Sequence, residues 1–126
     1  MATLNIPPAI PGGFCWPILI AGARTATAAG VVGIKVPQGF RVLGVSAYAR
    51  SATGTSPTLT VDIKAAGSSI LTTPVAVTAA AAAEASLVAG VSVADEALIT
   101  IDLAIGGTDT PTWNDITVTI TGIRLG

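Results

Sequence analysis

The sequence predicts an all-β protein built as a single antiparallel β-sandwich, and three observations support this prediction. The segments LTVDIKAAG (59–67) and ITIDLAIGG (99–107) repeat one alternation of apolar with polar or small residues, which is the period of a strand with one buried face. Turn-forming residues recur about every 8 to 12 positions. No segment has a convincing helical pattern. About eight short strands result, as in a jelly-roll-like sandwich.

The charge content of the chain is low for a soluble domain. Its 126 residues are 51% hydrophobic and 10% charged, with a net charge of -1, whereas soluble domains typically carry about 25% charged residues. A free monomer would expose much uncharged surface, so we expect partners to cover much of the surface. The scattered basic residues form no patch for nucleic acid: Arg24, Lys35, Arg41, Arg50, Lys64 and Arg124.

Cysteine use and hydropathy bear on the compartment. Cys15 is the single cysteine, so no intramolecular disulfide forms and synthesis in a reducing cytoplasm is expected. The apolar run from Phe14 to Ala23 is too short to span a bilayer, contains Pro17 and lacks a basic start. It therefore predicts neither a membrane span nor a signal peptide.

Residues 1–30 are predicted to form an extended N-terminal arm rather than part of the sandwich. Their prolines exclude a helix or a central strand, and their apolar content is too high for a solvated linker. The arm should therefore dock on a surface, either along the sheet of its own domain or on another subunit. In the second case the contact residues are expected to be Ile10, Phe14, Trp16, Ile18, Leu19 and Ile20.

Residues 31–126 are predicted to form the sandwich. Its early strands are expected at 31–36, 40–50, 59–65 and around Ile70, with turns at 37–39 and 51–57. Within the second strand the alternation places Leu43, Val45 and Ala47 on the inner face. In both repeats the residues Val61, Ile63, Ile101 and Leu103 are expected inside, and Thr60, Asp62, Thr100 and Asp102 outside.

The second half of the chain contains one ambiguous segment. Five successive alanines between Thr78 and Ala89 have high helix propensity, but the segment has no apolar stripe and is flanked by Pro74 and Gly90. We predict a strand at 75–78 and irregular structure after it, with at most a turn or two of helix. Later residues are predicted to form a short strand or loop at 91–95, a long turn at 108–114, and a last strand with Val118 and Ile120 inside and a bulge at Gly122.

The residues needed for most kinds of catalysis are missing. The chain has no histidine, which excludes serine and cysteine nucleophile systems that depend on it and zinc sites that contain it. Asp62 and Asp102 occupy outward strand positions, where surface carboxylates are ordinary. The loop acids lack the spacing of a calcium loop: Asp95, Glu96, Asp109 and Asp115. We expect no enzyme activity, no cofactor and no metal.

Two aromatic residues allow a binding role. Tyr48 and Trp113 are candidates for stacking on a sugar ring. The alternative for Trp113 is that it covers an open end of the sandwich or an interface.

Residues 37–126 resemble a β-sandwich module of tailed-bacteriophage virion proteins. The similarity lies in FRVLGVSAYARSATGTSPTLTVDIKAAGSSIL (40–71) and ADEALITIDLAIGGTDTPTWNDITVTITGIRLG (94–126), and the doubled Val-Asp-Ile and Ile-Asp-Leu cores are its most specific part. Modules of this kind are similar to head decoration (cement) proteins, head fibres and tail appendages, and are commonly trimeric.

The resemblance implies a structural virion protein. The leading hypothesis is a homotrimeric capsid decoration protein, made in the bacterial host cytoplasm, that binds the major capsid protein on the outside of a phage head and stabilises it. The alternative is a head-fibre or tail adhesin that binds host-surface glycans through Tyr48 and Trp113. A repetitive shaft, typical of fibres, is missing from the sequence.

Overall fold

The computed structural model describes residues 13–124. Over this range the protein is all-β without a helix, as predicted, and its strands are antiparallel. The eight strands in chain order are β1 (Gly13–Arg24), β2 (Ala28–Lys35), β3 (Phe40–Ala65), β4 (Ser68–Ser69), β5 (Val75–Val77), β6 (Ala83–Glu84), β7 (Ser92–Val93) and β8 (Leu98–Arg124).

The two long strands β3 and β8 form one continuous antiparallel ribbon. They pair from Phe40 with Arg124 to Ala65 with Ile99. Both strands bend at the same level, where Gly54 and Gly107 have φ angles of 107° and 119°. The predicted turns at 51–57 and 108–114 are therefore wrong as chain reversals. Their turn-forming residues bend the ribbon instead, and strand pairing resumes on either side.

Each half of the ribbon is the centre of one layer. β1 pairs with the C-terminal half of β8, and β6 and β7 pair with the N-terminal half of β3. β2 pairs with the N-terminal half of β8, and β5 and β4 pair with the C-terminal half of β3. We call the first the β1 layer and the second the β2 layer.

The core lies between these layers. Ile63 and Ile101 in the β2 layer and Ile116 and Ile120 in the β1 layer are all 0% exposed. Because the described residues include no helix to cover them, the inner faces must cover each other, which makes the fold a β-sandwich. The predicted alternation is confirmed, since Thr60, Asp62, Thr100 and Asp102 are half-buried on the outer face.

One inner-face prediction on β3 is wrong. Leu43 is 42% exposed, while Phe40 and Val42 before it and Val45 after it are buried. The register with β8 shifts between Val42 and Gly44, so Leu43 is the extra residue of a bulge, and the inward parity changes there. The sequence predicts a bulge at Gly122 of β8. The bulge lies instead in β3, directly after Val42, the residue paired with Gly122.

The predicted boundary at residue 30 also needs correction. Residues 13–24 form β1 and residues 28–30 begin β2, so this part of the expected arm belongs to the sandwich. β1 is an edge strand, where the missing N–H of Pro17 is tolerated. Residues 1–12 lie outside the described residues.

The alanine-rich segment is not helical, in agreement with the prediction. Val75–Val77 is a strand, and the following residues form turns, isolated bridges and the two-residue strand β6. Tertiary pairing with β3 overrides helix propensity here.

Candidate functional site

The predicted arm residues divide among three environments. Ile18 and Ile20 are 7% and 2% exposed and belong to the core of their own domain, so they are unavailable to a partner. Phe14 and Trp16 are partly buried against that core. Leu19 is 61% exposed on the outer side of β1. Ile10 lies outside the described residues. Strand alternation along β1 produces this division.

Leu19 lies on the outer face of the β1 layer, in a patch of β1, β8 and β3 residues that carry no charge; the patch is bordered by Glu84 of β6, which is paired with Ser46. Cross-strand register aligns Cys15, Thr121 and Gly44 in one row. The next rows join Pro17 to Thr119 and Ser46, and Leu19 to Thr117 and Tyr48. We call this surface the neutral face, and its nine positions are Cys15, Pro17, Leu19, Gly44, Ser46, Tyr48, Thr117, Thr119 and Thr121. Leu19 and Tyr48 are its large exposed side chains, at 61% and 38%.

The outer face of the β2 layer differs in charge. Asp62 and Asp102 are paired directly across β3 and β8. The ammonium group of Lys64 lies 3.0 Å from an Asp102 carboxylate oxygen, and Lys35 is exposed on β2. Charged side chains therefore lie at the centre of the outer face of the β2 layer. The charged side chains near the neutral face lie at the borders of that face. The two sides of the sandwich are therefore suited to different surroundings.

Two aspartates on β8 fasten the irregular parts of the edge strands. Asp102 Oδ1 accepts a 2.7 Å hydrogen bond from the Gly30 N–H, and Asp115 Oδ1 accepts one of 2.9 Å from the Gly22 N–H. Both glycines have positive φ angles and lie at register shifts of β2 and β1. Each aspartate also pairs with a cation on β3, Asp102 with Lys64 and Asp115 with Arg50. We call these arrangements the aspartate clips.

The clips lower the pKa of Asp102 and Asp115 and raise the pKa of Lys64. The backbone N–H of Gly30, and then Lys64, hold the pKa of Asp102 below its ordinary value. Gly22, and then Arg50, lower the pKa of Asp115 in the same way. Hydrogen bonding to Asp102 raises the pKa of Lys64. The carboxylates are thus held in their charged form by the native backbone.

The remaining aspartates also bind loop or turn groups. Asp62 accepts a 2.5 Å hydrogen bond from the Ser69 hydroxyl, Asp95 accepts one from the Gly39 N–H, and Asp109 accepts one from the Thr55 hydroxyl. All five aspartates of the chain therefore hold the fold's own backbone or hydroxyl groups. Within residues 13–124 no three acidic or cysteine side chains are grouped to hold a metal ion.

We expect the aspartate clips to make stability acid-sensitive. Because their folded-state pKa values are lowered, their contribution is complete above the unfolded-state pKa of about 3.9 and is lost as the pH falls below it. Their partial exposure limits its size. Urea unfolding of Asp102→Asn/Asp115→Asn should show a shallower acid decline than the wild type.

The matched control for that experiment is Glu84→Gln/Glu96→Gln. This variant removes the same formal charge from two glutamates that are exposed. Its acid decline should match that of the wild type. A clip variant whose stability falls in parallel with the wild type would contradict the assigned role.

The sugar-stacking prediction for Trp113 is wrong. Its side chain is 2% exposed within the core, so neither ring face is available to a ligand, and its indole Nε1 has no hydrogen-bond partner among the described residues. Tyr48 is partly exposed on the neutral face and remains accessible.

An apolar groove opens at one end of the sandwich, which sequence reasoning missed because Pro37-Gln38-Gly39 indicates only a turn. Its volume is about 350 Å³. The rings of Phe14 and Phe40 meet edge to face, 4.9 Å between centroids and 85° between planes. We call it the end groove, and it is lined by Phe14, Trp16, Val36, Pro37, Gln38, Phe40 and Arg124.

Comparison with known proteins adds no relative. No family model, curated protein or solved structure matches this chain. Among the described residues, no helix is long and apolar enough to cross a membrane.

Proposed function

We propose that this protein is a structural virion protein, a capsid decoration protein that binds the major capsid protein on the outside of a bacteriophage head. The observation that carries the proposal is the neutral face, three cross-strand rows that carry no charged side chain across β1, β8 and β3 and that end at Glu84 of β6. In this proposal the protein is a homotrimer, made in the host cytoplasm and located on the capsid surface.

The chemistry of the neutral face favours a protein partner. Interface centres are depleted of charged residues and enriched in aromatic ones, and the neutral face combines an exposed Leu19 with Tyr48 and a row of threonines. Covering it removes apolar area from water without stripping the hydration shell from a charge. The face lies on paired strands, where the backbone is already ordered, so binding costs little ordering entropy.

The strand order is compatible with the proposed role. The layers have the orders β1–β8–β3–β6/β7 and β2–β8–β3–β5/β4. We interpret this order as a long antiparallel hairpin rolled into a jelly roll. Viral capsid proteins use this architecture, as do lectins. Because one fold hosts many functions, the strand order supports the proposal without selecting it.

The core positions of Ile18 and Ile20 move the proposed binding residues to the neutral face. Leu19, Pro17 and Tyr48 replace them as the contact residues. In a trimer, three copies of the face would engage the shell together, and avidity would strengthen a weak single contact.

The test compares two exposed leucines on opposite sides of the sandwich. Leu19→Asp places a charge in the neutral face, and the matched control Leu98→Asp places one in the outer face of the β2 layer, where Leu98 is 51% exposed. Both proteins are mixed with heads assembled from the major capsid protein of the same genome. We expect Leu19→Asp to bind at least about tenfold more weakly, because an unpaired charge would be desolvated, and Leu98→Asp to bind like the wild type.

The same experiment separates the alternatives. Equal binding by both variants would remove the neutral face from the interface, and failure of the wild type to bind heads would contradict the decoration role. The alternative, a glycan-binding adhesin, is the weaker candidate. Of the two aromatic residues predicted to stack on a sugar, only Tyr48 is exposed. Light scattering on the purified protein tests the trimer.

A further inference from the structure

A cleft opens beside the neutral face on the outer side of the β1 layer. Its volume is about 280 Å³, and it is lined by Leu43, Gly44, Val45, Ser46, Glu84, Ala85, Leu87 and Thr121. We call it the Glu84 cleft, after its charged lining residue. Gly44, Ser46 and Thr121 also belong to the neutral face. A partner that covers the neutral face therefore covers the cleft as well.

An interruption in the β1 layer creates the Glu84 cleft. β7 pairs with residues 40–41 of β3, and β6 pairs with residues 46–47. The stretch of β3 between these two short strands contains the bulge at Leu43. Because a bulge leaves its extra residue out of the ladder, the cleft offers backbone polar groups in addition to its side chains.

The size and lining of the cleft suit a single long side chain. Small-molecule sites generally have volumes of about 300–1,000 Å³, and this cleft is smaller, at about 280 Å³. Leu43 and Leu87 supply apolar surface, whereas Glu84 supplies a carboxylate and Ser46 a hydroxyl. A side chain with an apolar stem and a cationic head matches both kinds of surface.

Glu84 determines the charge of the occupant. Its side chain is exposed and its backbone is paired with Ser46, so a partner on the neutral face removes its carboxylate from water. Burying a carboxylate without a cation is costly, whereas a hydrogen-bonded cation compensates for it. Arginine fits better than lysine, because its planar guanidinium binds a carboxylate through two hydrogen bonds and has further donors for backbone carbonyls.

The Glu84 cleft and Leu19 are close enough to contact the same partner. From β1 the strands follow in the order β8, β3 and β6. Three strand spacings of about 4.8 Å place β6 about 14 Å from β1. A partner that buries about 800 Å² on each side covers both.

We infer that the Glu84 cleft receives an arginine side chain of the protein partner that covers the neutral face. The inference rests on the proposed function for the identity of that partner, the major capsid protein, and on the cleft for the chemistry of the contact. Leu19 and Tyr48 supply apolar area to the interface, and Glu84 supplies specificity through charge.

The first experiment tests the chemistry of the cleft without any particle. The full-length protein, labelled with ¹⁵N, is titrated with N-acetyl-arginine methylamide, and its amide resonances are followed by NMR. N-acetyl-citrulline methylamide is the matched probe, because citrulline has a similar shape and no charge. We expect the arginine probe alone to shift the amides of residues 43–46 and 84–87 saturably, with a dissociation constant on the order of 1 mM.

Two glutamate variants show whether the carboxylate is responsible. Glu84→Gln should lose the response to the arginine probe. Glu96→Gln, which changes an exposed glutamate in the turn before β8, should keep it. Far-UV circular dichroism checks the folding of both variants.

The second experiment measures binding of the same proteins to assembled heads. We expect Glu84→Gln to bind at least about tenfold more weakly than the wild type. Its affinity should also fall less steeply with added salt, because one ion pair is missing from its interface. Glu96→Gln should bind like the wild type.

Two kinds of result would overturn the inference. If the arginine probe gives no saturable shift at the cleft, or the citrulline probe gives an equal one, the cleft does not select a guanidinium. If the wild type binds heads and Glu84→Gln binds them equally well, the cleft lies outside the interface. A wild type that binds the arginine probe but no heads would contradict the decoration role alone and would support the arginine site.

Discussion

Replacing Trp113 with alanine is expected to lower the free energy of unfolding by about 3 to 5 kcal/mol, the range for deleting a large aromatic side chain from a packed core. Trp113 is the largest fully buried side chain of the described residues. It follows the bend of β8, where its backbone is opposite Ala52 on β3 and Arg24 on β1. Urea unfolding of the two proteins measures the difference.

Trp113→Phe separates packing from hydrogen bonding at this position. Phenylalanine keeps most of the buried ring area and removes the indole N–H, which lacks a partner among the described residues. Because an unpaired buried donor is itself destabilising by about 1 to 3 kcal/mol, this variant should retain most of the wild-type stability. A Trp113→Ala protein as stable as the wild type would contradict the buried position.

Deleting residues 1–20 is expected to abolish cooperative folding. From the sequence, this truncation is predicted to leave a folded sandwich, because residues 1–30 are expected to form a separate arm. The structure leads to the opposite expectation. The deletion removes most of β1 with Ile18 and Ile20, which are buried, and leaves the C-terminal half of β8 as an unpaired edge.

Deletion of residues 1–12 is the matched control, because it stops before β1. This shorter truncation should unfold cooperatively and retain the strand signal in circular dichroism. Thermal and urea unfolding of both truncations distinguish the two outcomes. A cooperative transition at the wild-type midpoint for the longer truncation would mean that β1 is dispensable.

The sequence was sufficient to predict the fold class, because the alternation of apolar and polar residues along a strand indicates which side chains are buried. Ile63, Ile101 and Ile120 are each 0% exposed where the pattern places them inside, since a strand between two layers has one inner face. The outward positions of Asp62 and Asp102 follow from the same rule. Prediction succeeded where local pattern and tertiary environment agree.

Prediction failed where pairing with a distant strand decides the structure. Pro17 indicates that residues 13–24 are not a central strand, but it does not exclude an edge strand, and β8 supplies the pairing. Leu43 shares the parity of the buried Val45 and Ala47, but it is itself the extra residue of the bulge in β3, which no local pattern indicates. Trp113 follows Asp109 and Thr110, whose positive φ angles are typical of turns, yet the ladder continues past them.

The aspartate clips were missed for a related reason. A carboxylate on an outer strand face is ordinarily solvated, and only the register places Gly30 beside Asp102 and Gly22 beside Asp115. The neutral face likewise depends on three strands brought together from residues 15–19, 44–48 and 117–121. No local motif in the sequence indicates either arrangement.

The continuous β3–β8 ribbon has a consequence for the folding rate. Its nearest pair, Ala65 with Ile99, is 34 positions apart, and its farthest pair, Phe40 with Arg124, is 84 positions apart. Contact order is therefore high, because pairing β3 with β8 requires closure of a long loop before packing stabilises the paired residues. Chains with this topology fold in about milliseconds to seconds. Since both layers share the same two strands, neither layer can form a separate folding unit. We therefore expect the whole sandwich to fold after a single nucleation event.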